Sequence, residues 1–226
     1  MKKILLCVAH SDDETIGCAG TIARHVQNGD KVYGLYFTNG VGARGDKNLK
    51  AVNERKKSAS KVSKILGFKW LDSFSGTFPD NQLDKVSLLN VVKIIEKVKR
   101  KIKPHIIYTH NSTDLNIDHR KVFEAVITAF RPQPKEGWEK ILSFEVPSST
   151  DFRALKKKGY FHPNYFVNIK KFWKKKIKAL KCYDNEMRPF PHSRSINGIK
   201  LLAKYRGVQN GLEMVEAFEI IKQLER

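Results

Sequence analysis

Short apolar runs rich in β-branched and aromatic residues alternate along the chain with longer segments whose apolar positions recur every three or four residues. The first pattern predicts strands and the second amphipathic helices. Strands are expected at residues 4–9 (ILLCVA), 32–38 (VYGLYFT), 69–73, 105–109 (HIIYT), 141–146 and 165–169. Helices are expected at residues 15–27, stopped by Asn28-Gly29-Asp30; at 47–66, closed by Gly67; and at 86–103, ended by Pro104. Further helices are expected at 119–130, 170–186 and 194–206, while the tail 215–224 fits neither period. A glycine-rich loop, NGVGARGD, spans residues 39–46. Strands alternating with helices of 10–20 residues predict one α/β domain over residues 1–226, Rossmann-like, with a mostly parallel sheet flanked by helices.

Composition narrows the class. A chain of 226 residues with 41 % hydrophobic content supports one sizeable core, and no linker or internal repeat divides it. No apolar run approaches the roughly 20 residues of a membrane span. The start MKKILLCVAH turns acidic at once, so it reads as a strand and not a signal peptide, and a cytoplasmic protein is expected. Cys7, Cys18 and Cys182 have no CxxC spacing and lie in apolar patterns, which predicts core packing and not disulfides or a thiolate metal site. Trp70, Trp138 and Trp173 are expected to pack as well. The formal net charge is +20. The basic residues are scattered, without aromatic interleaving, so a solvated surface or an anionic small substrate is expected before any specific nucleic acid. Transient contact with a membrane surface and homo-oligomerisation stay open.

Three polar clusters fall at the carboxyl ends of predicted strands: His10–Glu14, Asn39–Asp46 and His110–Arg120. In open parallel sheets that edge is where ligands bind. The first cluster sets His10 beside Asp12, Asp13 and Glu14; the last, HNSTDLNIDHR, repeats the histidine–aspartate theme. Adjacent carboxylates repel unless something positive lies among them. If the two junctions meet, His10, one of Asp12 and Asp13, and one of His110 and His119 supply two imidazoles and a carboxylate. Such a trio binds a catalytic divalent metal and leaves a position open for water, with the remaining aspartate placed to take a proton.

The segment AHSDDE resembles the AHPDDE signature of the PIG-L/LmbE-like zinc-dependent de-N-acetylases, and THNSTDLNIDHR resembles the second motif of that family. The segments TNGVGARGD, ERKKSA, FPDNQLD, FEVPSST, EMRPFPHSRS and YRGVQNGLEMVEAF extend the likeness over nearly the whole chain. The resemblance implies His10, Asp13 and His119 as zinc ligands, with Fe2+ as the alternative ion, and Asp12 as general base. It implies removal of an acetyl group from an N-acetylated sugar conjugate of the N-acetylglucosamine type, nucleotide- or lipid-linked forms included. The chain departs from the pattern twice. Ser11 stands where proline is usual, and Asn116 stands where many members carry a histidine that serves as acid. His110 or His192 could fill that vacancy, or Asp12 could act as both base and acid, with Asn116 left to hydrogen-bond an oxyanion. Asp118 either orients an imidazole or caps a helix. Arg44 and Arg55 could hold a sugar or phosphate, and Asp80 and Asn81 could contact substrate or form a turn; Arg188 and Arg206 are ion-pair candidates as much as ligands. A metal-dependent phosphohydrolase and a polyanion-binding module with a vestigial metal site are the competing classes.

Overall fold

The computed structural model describes residues 1–42, 49–153 and 159–225. Half of the glycine-rich loop, residues 43–46, and with it Arg44, lies outside the described residues. Seven strands form one sheet: β1 (Lys3–Val8), β2 (Lys31–Tyr36), β3 (Lys69–Trp70), β4 (Ile106–His110), β5 (Lys140–Phe144), β6 (Tyr165–Asn168) and β7 (Val215–Gln223). Their order is β3-β2-β1-β4-β5-β7-β6. The first five strands in that order pair in parallel, and β7 runs antiparallel between β5 and β6. The helices are α1 (Asp13–Gln27), α2 (Leu49–Leu66), α3 (Leu88–Ile102), α4 (Ile117–Ala129), α5 (Trp173–Leu180) and α6 (Ile196–Val208).

Strand β1 shows why the sheet needs cover on both sides. Its side chains alternate between faces. Ile4, Leu6 and Val8 join a core with residues of α1, α2, α5 and α6, while Leu5 and Cys7 join a second core with α3 and α4. All five are fully buried, and each large aliphatic side chain so placed contributes about 1.5–3 kcal/mol relative to exposure. Cys7 and Cys18 are buried packing residues, Cys182 is partly buried, and all three thiols are free. The three tryptophans are buried.

The expected class holds, and the differences have local causes. Helix α4 starts at Ile117, because Asn116 caps it: the Asn116 side chain accepts the Asp118 N–H at 2.8 Å. Ser195 caps α6 in the same way, accepting from Gly198 N–H at 2.8 Å. The segment expected as one helix at 170–186 breaks into a 3-10 turn, α5 and a second 3-10 stretch with a kink at Tyr183. The third strand shortens to Lys69–Trp70 before a 3-10 turn. The tail is a nine-residue strand; Glu216 and Glu219 had obscured its alternation.

The strand order reverses direction between β1 and β4, so this is the topological switch point of the sheet, where a crevice opens beyond the strand ends. The two histidine–aspartate clusters follow these two strands. Close packing fixes α1 there: a methyl group on Gly17 would lie 2.3 Å from the Phe144 ring. Gly17→Ala is therefore expected to destabilise by about 1–3 kcal/mol in denaturant unfolding. Gly137→Ala, at a position with nothing within 4 Å, should change stability by no more than about 0.5 kcal/mol.

Candidate metal centre and active site

Where β1 ends, the chain turns within four residues into α1, and this tight passage aims His10, Asp12 and Asp13 into the crevice. The His10 N–H donates to Asp13 Oδ2 at 2.9 Å, which folds the aspartate back over the strand end. From the β4 side, α4 presents His119 one turn in. Asp13 bridges the two: its Oδ2 lies 3.2 Å from His10 Nδ1 and its Oδ1 lies 3.4 Å from His119 Nε2. One ligand atom from each of His10, Asp13 and His119 falls within 4.8 Å of the others.

Each imidazole is held from behind. His119 Nδ1 lies 3.1 Å from Asp114 Oδ2. Asp114 is itself fixed by the Ser149 and Thr150 hydroxyls and by the Asn116 N–H at 2.9 Å. His10 Nε2 lies 3.0 Å from Asp80 Oδ1 and 3.4 Å from Asp118 Oδ2. Asp118 also accepts the Asn81 and Leu83 N–H groups at 2.7 and 2.9 Å, which ties the 80–83 turn to α4. Carboxylates behind ligating imidazoles set their orientation and basicity.

His110 lies behind His119 and Asp13. It is fully buried and stacks on His119, with ring centroids 3.8 Å apart. Its Nε2 accepts the Ala9 N–H at 2.8 Å, so that nitrogen has no proton to give. Burial and the neighbouring His119 push its pKa down to about 4. His192 sits in the turn before α6. Its Nδ1 accepts the Arg194 N–H at 3.0 Å, and its ring meets Phe152 edge-on.

The electrostatics are those of an anionic cage. Burial works to raise the Asp13 pKa, but His119, His110 and His10 overcome it and hold the carboxyl well below its usual range. Burial likewise opposes charge on His119, yet Asp13 and Asp114 raise its pKa to about 9. His10 is also pushed up, by Asp13, Asp118 and Asp80 against its burial. Asp12 stands outside this group. Burial raises its pKa against the pull of Arg55, whose Nη2 is 2.6 Å from Asp12 Oδ1. Arg194 Nη1 is 3.6 Å from the other oxygen. Arg55 continues to Glu186 Oε1 at 2.5 Å and donates to Ser11 Oγ at 3.3 Å.

These groups surround a cavity of about 210 Å³, lined by Asp12, Arg55, Asp80, Asn81, Asn116 and Arg194 around the His10–Asp13–His119 floor. A second cavity of about 560 Å³ shares Arg55 and Glu186 with it. His110 and His192 are not among the lining residues, and Asp118 acts from behind His10. Arg188 is exposed and donates to backbone carbonyls, whereas Arg206 pairs bidentately with Glu145. Asp114, Glu186 and Arg194 were not singled out from the sequence. Asp114 lies inside the His110–Arg120 cluster, five residues before His119, and Glu186 and Arg194 lie inside the segment EMRPFPHSRS, so each could have been found there.

The donor set fits a divalent ion. Two imidazoles and one carboxylate are the three protein ligands of many catalytic zinc sites, and ferrous iron accepts the same set. The carboxylates around His10 and His119 favour positive charge at this point, which a bound dication would supply.

The sequence profile of the PIG-L family, described as GlcNAc-PI de-N-acetylase, matches residues 5–130. The chain belongs to the PIG-L family. Among curated relatives, an uncharacterised deacetylase of Escherichia coli K12, YaiS, is 28 % identical over 184 residues, covering 80 % of this chain and 89 % of its own. Diacetylchitobiose deacetylase of Thermococcus kodakarensis is 25 % identical over 238 residues, covering 98 % of this chain and 84 % of its own. The PIG-L fold is not reserved for deacetylases. GalB, the 4-carboxy-2-hydroxymuconate hydratase of Pseudomonas putida KT2440, superposes with a TM-score of 0.73 at 20 % identity, over 100 % of this chain and 98 % of its own. At that identity the likeness concerns the fold alone.

Elemental analysis of purified protein tests the ligand assignment. Asp13→Ala and His119→Ala should each lose the bound metal, whereas Asp12→Asn should retain about one ion per chain. Asp114→Ala, which frees the back of His119, should weaken zinc binding about 10–100-fold.

Proposed function

We propose that this protein is a metal-dependent amide hydrolase that removes the acetyl group from an N-acetylated amino sugar. The observation that carries the reading is the pairing, in one cavity, of the His10–Asp13–His119 donor set with a separately held carboxylate of raised pKa, Asp12. Membership of the PIG-L family and the likeness to a diacetylchitobiose deacetylase support the sugar amide as substrate. His10, Asp13 and His119 would hold zinc or ferrous iron. The chemistry a divalent ion supplies there is Lewis acidity toward a carbonyl and toward water.

The rest falls to the chain's own groups. Asp12 takes the proton of the attacking water as that water adds to the acetamide carbon. Its raised pKa brings it closer to the range in which a base can also return the proton. Arg55 and Arg194 hold the Asp12 carboxylate from two sides and fix its direction. Asn116 lines the cavity; its Oδ1 is used by the Asp118 N–H, which leaves the amide NH2 as a donor toward the developing oxyanion. Collapse of the tetrahedral species breaks the carbon–nitrogen bond, Asp12 returns the proton to the departing nitrogen, and acetate and an amine leave. His192 and His110, the other candidates for that last proton, lie off the cavity lining. Asp80 and Asn81 also line the cavity and are assigned to the sugar, with Arg44, outside the described residues, a further candidate.

Acetate release from a panel of N-acetylated sugars, free and conjugated, tests the proposal with zinc-loaded and iron-loaded protein. Release from at least one member is expected; none from any member would overturn it. On an active substrate, Asp12→Asn should lower kcat about 10²–10⁴-fold with metal retained. His192→Ala should leave kcat within about twofold if Asp12 returns the proton, and a fall of 10²-fold or more would transfer that role to His192.

A further inference from the structure

Helix α1 contains a break. Cys18 has φ −144° and ψ 22°, outside the helical region. A regular helix would close the rung from the Gly20 N–H to the Ile16 carbonyl. Here two buried charged side chains from distant elements complete it. The Gly20 N–H donates to Glu216 Oε1 at 2.9 Å. Lys176 Nζ donates to that same oxygen at 2.7 Å and to the Ile16 carbonyl at 2.8 Å. The other Glu216 oxygen accepts the Thr21 N–H and hydroxyl at 2.7 and 2.6 Å. Lys176 and Glu216 are 2 % and 4 % exposed.

We propose that Lys176 and Glu216 are positioning residues for the metal centre: by splicing the broken rung of α1 they fix the direction in which its first turn presents Asp13 to His10 and His119. The inference rests on the metal-centre reading above. Sideways movement of α1 is already blocked, because methyl groups on Gly17 and Gly20 would lie 2.3 Å from Phe144 and 2.6 Å from Ile169. The remaining freedom is bending at Cys18. Among the described residues, the side-chain hydrogen bonds of the pair to the rest of the chain end on α1, on the two sides of that break. A buried ion pair is not by itself a stabilising element, since well-packed apolar residues often serve as well. Its position across the break supplies a different reason for its presence: two residues beyond Ile16 the helix changes direction, and three residues before Ile16 is the carboxylate that bridges the two ligand histidines.

The test compares Zn2+ affinity, by chelator competition on the full chain, with thermal unfolding. Glu216→Gln is expected to weaken zinc about 10–100-fold, in line with other groups behind metal ligands. Arg206→Met, which breaks the Arg206–Glu145 pair away from α1, is the control: it should lower the unfolding temperature and leave zinc affinity unchanged. The double variant Lys176→Met/Glu216→Leu, which leaves no lone buried charge, serves where the single variant does not fold, with the same loss of zinc affinity expected. Wild-type affinity in a folded Glu216 variant, or an equal loss in Arg206→Met, would overturn the proposal. Absence of zinc binding in the wild type would overturn the metal reading instead. The positioning role is then read from amide hydrogen exchange: faster exchange across residues 13–21 in the Glu216 variant but not in Arg206→Met supports it, and unchanged exchange there overturns it.

Discussion

The Asp13 carboxylate lies between the imidazoles of His10 and His119 in a place water barely reaches, with the His110 imidazole behind. An isolated carboxylate is costly to bury, and one surrounded by Asp12, Asp80, Asp114 and Asp118 would be costlier still. The fold offsets this by alternating signs. His10 stands between Asp13 and the Asp80–Asp118 pair, His119 between Asp13 and Asp114, and Arg55 between Asp12 and Glu186. Each acid is thus shared with a base, and the bases come from the turn after β1, from α2 and from α4. The three elements are held to one another by the same charges that would hold an ion.

That arrangement gives two neighbouring aspartates different electrostatic surroundings. Asp13 and Asp12 are adjacent in sequence and equally buried, yet their pKa values move in opposite directions. Asp13 faces imidazoles, which keep it ionised and suit it to a cation. Asp12 faces guanidiniums that hold it in place but do not cancel the effect of burial. Environments that push the pKa values of two acids apart are how one site obtains both a fixed anion and a proton carrier.

Much of this was legible in the chain. The alternating apolar runs specified the sheet, and the placement of histidine–aspartate clusters after two strands located the crevice. What could not be read depends on distant partners. His110 and His119 are equivalent as ligand types; the Ala9 N–H, 101 residues away, occupies the Nε2 of His110, which stays off the cavity lining. Glu216 looks like a polar interruption in an apolar tail and hides a strand, because its partners are the amides of α1 and Lys176. Net charge is no guide to the cavity: among the described residues its lining sets Arg55 and Arg194 against Asp12, Asp13, Asp80 and Glu186.

Asn116 shows how a substitution at a motif position can be absorbed. It caps α4 by accepting the Asp118 N–H, a task asparagine performs well and one that orders the helix carrying both His119 and Asp118. Its own N–H holds Asp114, which in turn backs His119. A histidine there could supply a proton but would not offer the same short side-chain acceptor to the helix start. Asparagine strengthens the scaffold of the ligand and gives up the acid. In the proposed reaction the whole proton circuit then contracts onto Asp12. The two arginines beside that residue become part of the chemistry, because they set how far a buried carboxyl can rise in pKa and still be ionised when the water arrives.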